Sequence, residues 1–182
     1  LNRRLKIDGR AAMDWVADTV AELAAMKNVT HLQNATVWAY REHNLLVVNE
    51  RIPAQGSVLE RSWRVRAGQM VCATGAIERA MVFANNDRPG VMMTSAIQAY
   101  VTRYAVLPGR RAVLFTNNNS SYAAAADMAQ AGIQITAIVD SRLSVPPEAL
   151  AMVEGIEVLA GHVVTNVQGH KRVRSVSVSP GL

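Results

Sequence analysis

Cysteine is all but missing from this 182-residue chain. Cys72 stands alone, so no disulfide can close within the chain and no thiolate cluster can hold a metal. Set in an apolar run, it is expected to behave as a small hydrophobe. Aromatic side chains make up only 5%, with two phenylalanines, which leaves alanine and valine to build the interior and suits helices packed on a sheet. No apolar run is long enough to span a bilayer, and no signal-peptide pattern is evident. Long basic runs are also absent. The net charge is +5 and the pI near 9.9, but Arg3, Arg4, Arg64, Arg66, Arg110, Arg111, Arg172 and Arg174 are scattered. Nucleic-acid binding requires a motif and a fold besides charge, so these residues read as solvated surface and interface. His31, His43, His162 and His170 lack the short spacing of a metal pair. With no Ser-His-Asp or Cys-His arrangement either, neither a catalytic nor a metal-ligating residue is expected.

Half of the residues are apolar, enough to bury a core, and the length suits one large domain or two small ones. Met13, Val16, Val20 and Leu23 recur at helical spacing, which predicts a helix over Ala11 to Met26 with Asp8 as its cap and Trp15 as a core anchor, or else a ring that stacks on a cofactor. Three extended runs follow. Thr36–Tyr40 and Leu45–Asn49 are joined by a turn at Glu42-His43-Asn44. Ser62–Arg66 comes after a loop holding Pro53 and Gly56. Gln69–Ala73 reads as a return to a buried strand.

Val71 to Met92 is the most informative stretch. The expected strand ends in Ala73-Thr74-Gly75, small residues at the strand end where open α/β sheets hold ligands. A polar turn, Asn85-Asn86-Asp87-Arg88-Pro89-Gly90, comes next, followed by a helix over Thr94–Tyr104 that Leu107-Pro108-Gly109 stops. Glu78, Arg79, Asp87 and Arg88 surround this turn. They either orient a substrate or phosphate, since arginine grips oxyanions with a planar fork, or form ion pairs that fasten two lobes.

A βαβ unit begins at Arg111–Phe115, with a helix over Ser120–Ala131, a stop at Gly132 and a second strand over Ile133–Val139 ending at Asp140. A short helix near Ser144–Glu148, a strand at Ile156–Leu159 and a hairpin of His162–Asn166 with Arg172–Val178 complete the pattern. Asp140 sits where an acid would grip a ribose hydroxyl, and otherwise is a strand-end acid in solvent. The intervening loop is Thr116-Asn117-Asn118-Asn119-Ser120-Ser121, where a dinucleotide site wants Gly-x-Gly-x-x-Gly so that backbone N–H groups can approach a pyrophosphate. The three asparagines either meet another ligand or a partner subunit, or cap the helix.

Ala73-Thr74-Gly75-Ala76-Ile77-Glu78-Arg79, Phe83–Gly90 and Leu114-Phe115-Thr116-Asn117-Asn118 together resemble the alpha subunit of heterotetrameric sarcosine oxidase. The alpha subunits of opine oxidases and dye-linked proline dehydrogenases are close relatives. The resemblance implies an α/β, two-dinucleotide-binding flavoprotein fold of FAD/NAD(P)-binding, Rossmann-like type. Residues 1–90 would be the second half of a nucleotide domain, and 91–182 a second Rossmann-like domain with a degenerate glycine loop. The chain opens on Leu1 and stops soon after a strand, and is expected to be an internal piece of such a subunit, inactive by itself. The resemblance further implies a cytoplasmic oxidoreductase that demethylates sarcosine, working with beta, gamma and delta subunits. NAD would be held without redox turnover, FMN at the alpha–beta boundary and tetrahydrofolate elsewhere in the whole enzyme. Carried onto this chain, the cofactor-binding positions are Val37, where such folds read an adenine, and Ala73, Thr74 and Gly75. No nucleic acid or membrane partner is implied.

Overall fold

The computed structural model describes residues 6–52 and 58–181; the loop expected at Pro53 and Gly56 lies outside the described residues. The chain divides into two compact units, Leu1–Thr74 and Gly75–Leu182, earlier than the division at 90/91 read from the sequence. Among the described residues no helix is long and apolar enough to cross a membrane.

The first unit opens with a small hairpin, β1 (Lys6–Ile7) and β2 (Arg10–Ala11). Asp8 and Gly9 turn it with φ of 50° and 76°. Asp8 is therefore spent on the turn and does not cap α1 (Ala12–Ala25), which starts after Ala11 without a side-chain cap. Val16, Val20 and Leu23 half-bury one face of α1; Trp15 is half-buried and Met13 exposed. Strands β3 (Ala35–Arg41), β4 (Leu45–Arg51) and β5 (Glu60–Arg66) form an antiparallel meander in that order. His43 and Asn44, at φ of 55° and 52°, supply the left-handed backbone that a tight hairpin needs. A bulge at Trp38 interrupts the β3–β4 register between Val37 and Ala39.

The second unit is built on a parallel sheet in the order β6 (Arg111–Thr116), β7 (Gln134–Asp140) and β8 (Val158–Ala160). Helix α2 (Thr94–Tyr104) ends at Ala105, whose φ of 53° turns the chain before the Leu107-Pro108-Gly109 stop is reached. Helix α3 (Ser120–Gln130) closes on Gly132, with the Gly132 N–H on the Ala129 carbonyl and the Ile133 N–H on the Met128 carbonyl. This pair of bonds is a Schellman stop, and the φ of 95° at Gly132 suits glycine. Tyr122, Ala125 and Met128 pack α3 onto Leu114, Ile135 and Ile138 of the sheet; α4 (Pro147–Leu150) adds Ala149 and the 3-10 turn Ala151–Val153 adds Val153. Each large apolar side chain sealed here contributes about 1.5–3 kcal/mol. Ile97 and Val101 of α2 cover the same core from the side. A hairpin, β9 (His162–Gly169) and β10 (Val173–Pro180), completes the unit.

Candidate functional site

Open α/β sheets present ligands with the C-terminal ends of their strands. Here Thr116 and Asp140 end β6 and β7 side by side, in register. In the loop after β6, the Thr116 hydroxyl accepts the Asn118 N–H at 3.2 Å and lies 2.9 Å from the Ser121 hydroxyl. Asn118 Oδ1 then accepts both the N–H and the hydroxyl of Ser120, at 3.0 and 2.5 Å, and its amide donates to Asn117 Oδ1 at 3.1 Å. Asn118 thus caps the entrance of α3, one of the two roles anticipated for the asparagines. Asn119 Oδ1 accepts from Arg142 Nη1 at 2.8 Å.

Asp140 is fully buried, which corrects the reading of an acid in solvent. Its carboxylate accepts the Tyr122 hydroxyl at 2.7 Å, the Arg142 backbone N–H at 2.9 Å, Arg142 Nε at 3.0 Å and Arg142 Nη2 at 2.6 Å. Burial pushes the carboxyl up, but the hydrogen bonds from Arg142 and Tyr122 prevail and hold it below the usual carboxylate range. Burial, then the bond to Asp140, raises Tyr122 to about 12. The bond to Asp140 likewise raises Arg142. Four protein donors leave Asp140 no lone pair for a ribose hydroxyl, and asparagine side chains fill the place where glycines would admit a pyrophosphate. The residues at this crevice do not fit a dinucleotide.

The strand expected over Gln69–Ala73 does not form. A buried strand requires neighbours to bond its backbone, and among the described residues none pairs with it. Val71, Ile77 and Val82 are instead 89%, 90% and 94% exposed, and Cys72 is exposed as well, contrary to its reading as a buried hydrophobe. In the first unit Ala73 and Thr74 are exposed, and Val37 is 55% exposed opposite Val48. In the second, Gly75 has φ of +74°, and an added Cβ would meet nothing within 4 Å. These positions leave backbone open to a ligand without enclosing one. An open groove of about 500 Å³ lies beside Val37, lined by Asn34, Ala35, Thr36, Asn49, Arg51 and Glu60.

The polar turn is stitched into the second unit. Ala84 bridges β9 through Thr165 and Val167, Asn85 donates to Asn166 at 2.8 Å, Asn86 to the Met81 carbonyl at 3.0 Å, and Phe83 meets Phe115 edge-on. Glu78 accepts the Thr94 and Ser95 N–H groups at 3.0 and 2.8 Å. It therefore caps α2 from outside the helix. A carboxylate at a helix N-terminus satisfies free N–H groups and opposes the positive end of the dipole. Glu78→Ala is expected to lower the stability of the second unit by about 1 kcal/mol, measured by urea titration; an unchanged midpoint would contradict the cap. Among the described residues no three His, Cys, Asp or Glu side chains converge as a metal site.

The parallel sheet and α3 crossover of the second unit, with the meander of the first, define a mixed α/β protein. The fold is similar to that of L-proline dehydrogenase from P. horikoshii, with a TM-score of 0.55 at 19% identity over 93% of this chain and 28% of that one. In sequence the chain is homologous to sarcosine oxidase alpha subunits. It is 39% identical to that of Rhizobium meliloti (strain 1021) over 181 residues, and 40% identical to that of Corynebacterium sp. (strain P-1) over 174. These matches cover 96% and 91% of this chain but 18% of each relative. An opine oxidase subunit of Agrobacterium tumefaciens (strain Ach5) is 27% identical over 71% of this chain and 26% of its own length. No protein-family model matches.

Proposed function

We propose that the chain is part of the alpha subunit of a sarcosine-oxidase-type amine oxidoreductase, acting on CH–NH donors in the cytoplasm. The observation that carries this reading is the 39% identity to a sarcosine oxidase alpha subunit sustained over 96% of the chain. On this reading the whole enzyme demethylates sarcosine oxidatively in a heterotetramer with beta, gamma and delta subunits. A flavin, when bound, accepts the electrons of the amine; FMN lies at the alpha–beta boundary, and tetrahydrofolate serves elsewhere. This stretch contributes no catalytic group. Its part is to present main chain at Val37, Ala73, Thr74 and Gly75 to an NAD that does not turn over.

The test is the substrate of the intact assembly. Sarcosine as the preferred amine supports the proposal. Preference for an opine or proline moves the chain to the runner-up, an alpha subunit of an opine or proline dehydrogenase, which the likeness to the Agrobacterium opine oxidase favours. A non-catalytic scaffold lobe is the third reading, favoured by the self-satisfied loop and acid of the second unit.

Gly75→Val checks the NAD role. The substitution puts a branched side chain on a residue at φ +74°, where L side chains are strained. NAD affinity of the full-length subunit is expected to fall at least about tenfold, roughly 1.4 kcal/mol. Gly75→Ala shares the backbone strain with less bulk and should lie between. Equal affinity in all three folded proteins would remove Gly75 from the site.

A further inference from the structure

The β9–β10 hairpin carries charge of one sign. From Val158 to Gly181 the sequence holds no aspartate or glutamate, while its turn reads His170-Lys171-Arg172, with Arg174 two residues on. All four are exposed and line an open groove of about 520 Å³. Among the described residues none of them enters an ion pair. A bulge between Val173 and Ser175 re-aims the strand at Arg174.

A further cation is fastened to the same strand. The Val173 N–H donates to the Pro89 carbonyl at 3.0 Å, and Gly90 abuts the Val173 side chain. Arg88 therefore sits one residue from a strand position flanked by Arg172 and Arg174. Its Nε–H is buried without an acceptor. The exposed cations of the hairpin tip, His170 apart, repel one another with no ion pair among the described residues, whereas the buried Arg88 Nε lies out of a partner's reach and next to Asp87. Lys171, Arg172 and Arg174 thus present a positive surface complementary to an anionic one.

We propose that this hairpin tip docks an acidic patch on another subunit. The inference rests on the reading of the chain as part of a multi-subunit alpha chain. Arginine forks match carboxylates in pairs. The groove is open rather than enclosing. From Ala123 onward the chain has no Phe, Tyr or Trp, and His170 is the one ring in the groove lining, which is no row of stacking platforms for a single strand.

The test uses the full-length chain purified with its partners. Lys171→Glu, Arg172→Glu and Arg174→Glu are combined, and dissociation is followed by sedimentation and native mass spectrometry. The expected result is dissociation at least about thirty-fold easier. The wild-type assembly should loosen between about 50 and about 300 mM salt, with the variant losing that dependence. The thermal midpoint of the isolated chain should stay unchanged. If charge reversal impairs folding, the neutral pair Arg172→Gln, Arg174→Gln decides, with a smaller loss in the same direction. Assembly that resists both sets of changes overturns the proposal. So does a lowered midpoint of the isolated chain with assembly intact, which assigns the surface to the rest of the same polypeptide. Saturable binding of inorganic pyrophosphate, lost in the variant while assembly persists, assigns it to a small oxyanion and also overturns the proposal. A full-length chain that purifies without partners fails the parent reading and this one together, whereas an intact assembly indifferent to the hairpin fails this one alone.

Discussion

Asp140→Asn is expected to destabilise the second unit by about 2–3 kcal/mol, because it puts an amide among buried donors and takes the counterion from the partly exposed Arg142. The carboxylate is fully buried and receives the Tyr122 hydroxyl and three Arg142 donors. Asparagine preserves the shape, but its amide turns a donor toward donors, and the Arg142 charge loses its counterion. The same network predicts two pH limits. Asp140 is depressed in the folded protein, so its contribution is present above the unfolded carboxyl pKa of about 3.9 and fades as pH falls through the lower folded value. Tyr122 is raised to about 12, so its contribution is whole below the unfolded phenol pKa of about 10 and is lost as pH climbs through 12. Urea titration across pH, with hydrogen exchange in β6 and β7, checks both. The variant should lose the acid dependence belonging to Asp140, while exchange in the β3–β5 meander stays as in the wild type. A loss below about 1 kcal/mol for Asp140→Asn, the size of an exposed pair, would contradict the buried network.

Those partners show where sequence reasoning stops. The strand ending at Asp140 is legible from its apolar run, and α3 from its alanine-rich face and the stop at Gly132. Helix α2 emerges with the bounds its spacing predicts, Thr94–Tyr104. These signals are local. That Asp140 would be enclosed depends on α3 turning Tyr122 inward across 18 residues of sequence and on Arg142 folding back onto its neighbour, and neither has a periodic signature. Glu78 is hidden for the same reason: its helix lies 16 residues away, and the rule for caps looks only next door. Gln69–Ala73 fails the other way. Its composition favours a strand, but strand formation is a property of neighbours, and among the described residues none bonds to it. The polar Asn85–Gly90 turn invites a ligand reading because its side chains are costly to specify. In the fold that specification is used on β9 and β10, leaving Arg88 as the group still in need of an acceptor.

The other large effect is expected at Gly169, the residue closing β9 before the basic turn. At φ +139° a Cβ would stand 2.0 Å from the Arg172 carbonyl oxygen and 3.1 Å from the Arg174 nitrogen. Both are backbone atoms, of the turn and of the returning strand, so no side-chain rotation relieves the clash; the turn itself has to open. Gly132 provides the control. It too has a positive φ, 95°, but an added Cβ there meets nothing within 4 Å, so Gly132→Ala carries conformational strain of about 1–2 kcal/mol without a collision. Gly169→Ala is expected to cost about 3 kcal/mol or more, the combined effect of strain and lost strand pairing. Hydrogen exchange should localise the damage to β9 and β10 and to the Asn85–Gly90 turn bonded to them, leaving α3 protected. Because the displaced residues include Arg172 and Arg174, the full-length chain carrying Gly169→Ala should also assemble with its partners more weakly than one carrying Gly132→Ala. Equal stability of the two alanine variants would mean that the hairpin does not close as tightly as its backbone requires, and the spacing of the basic cluster would go with it.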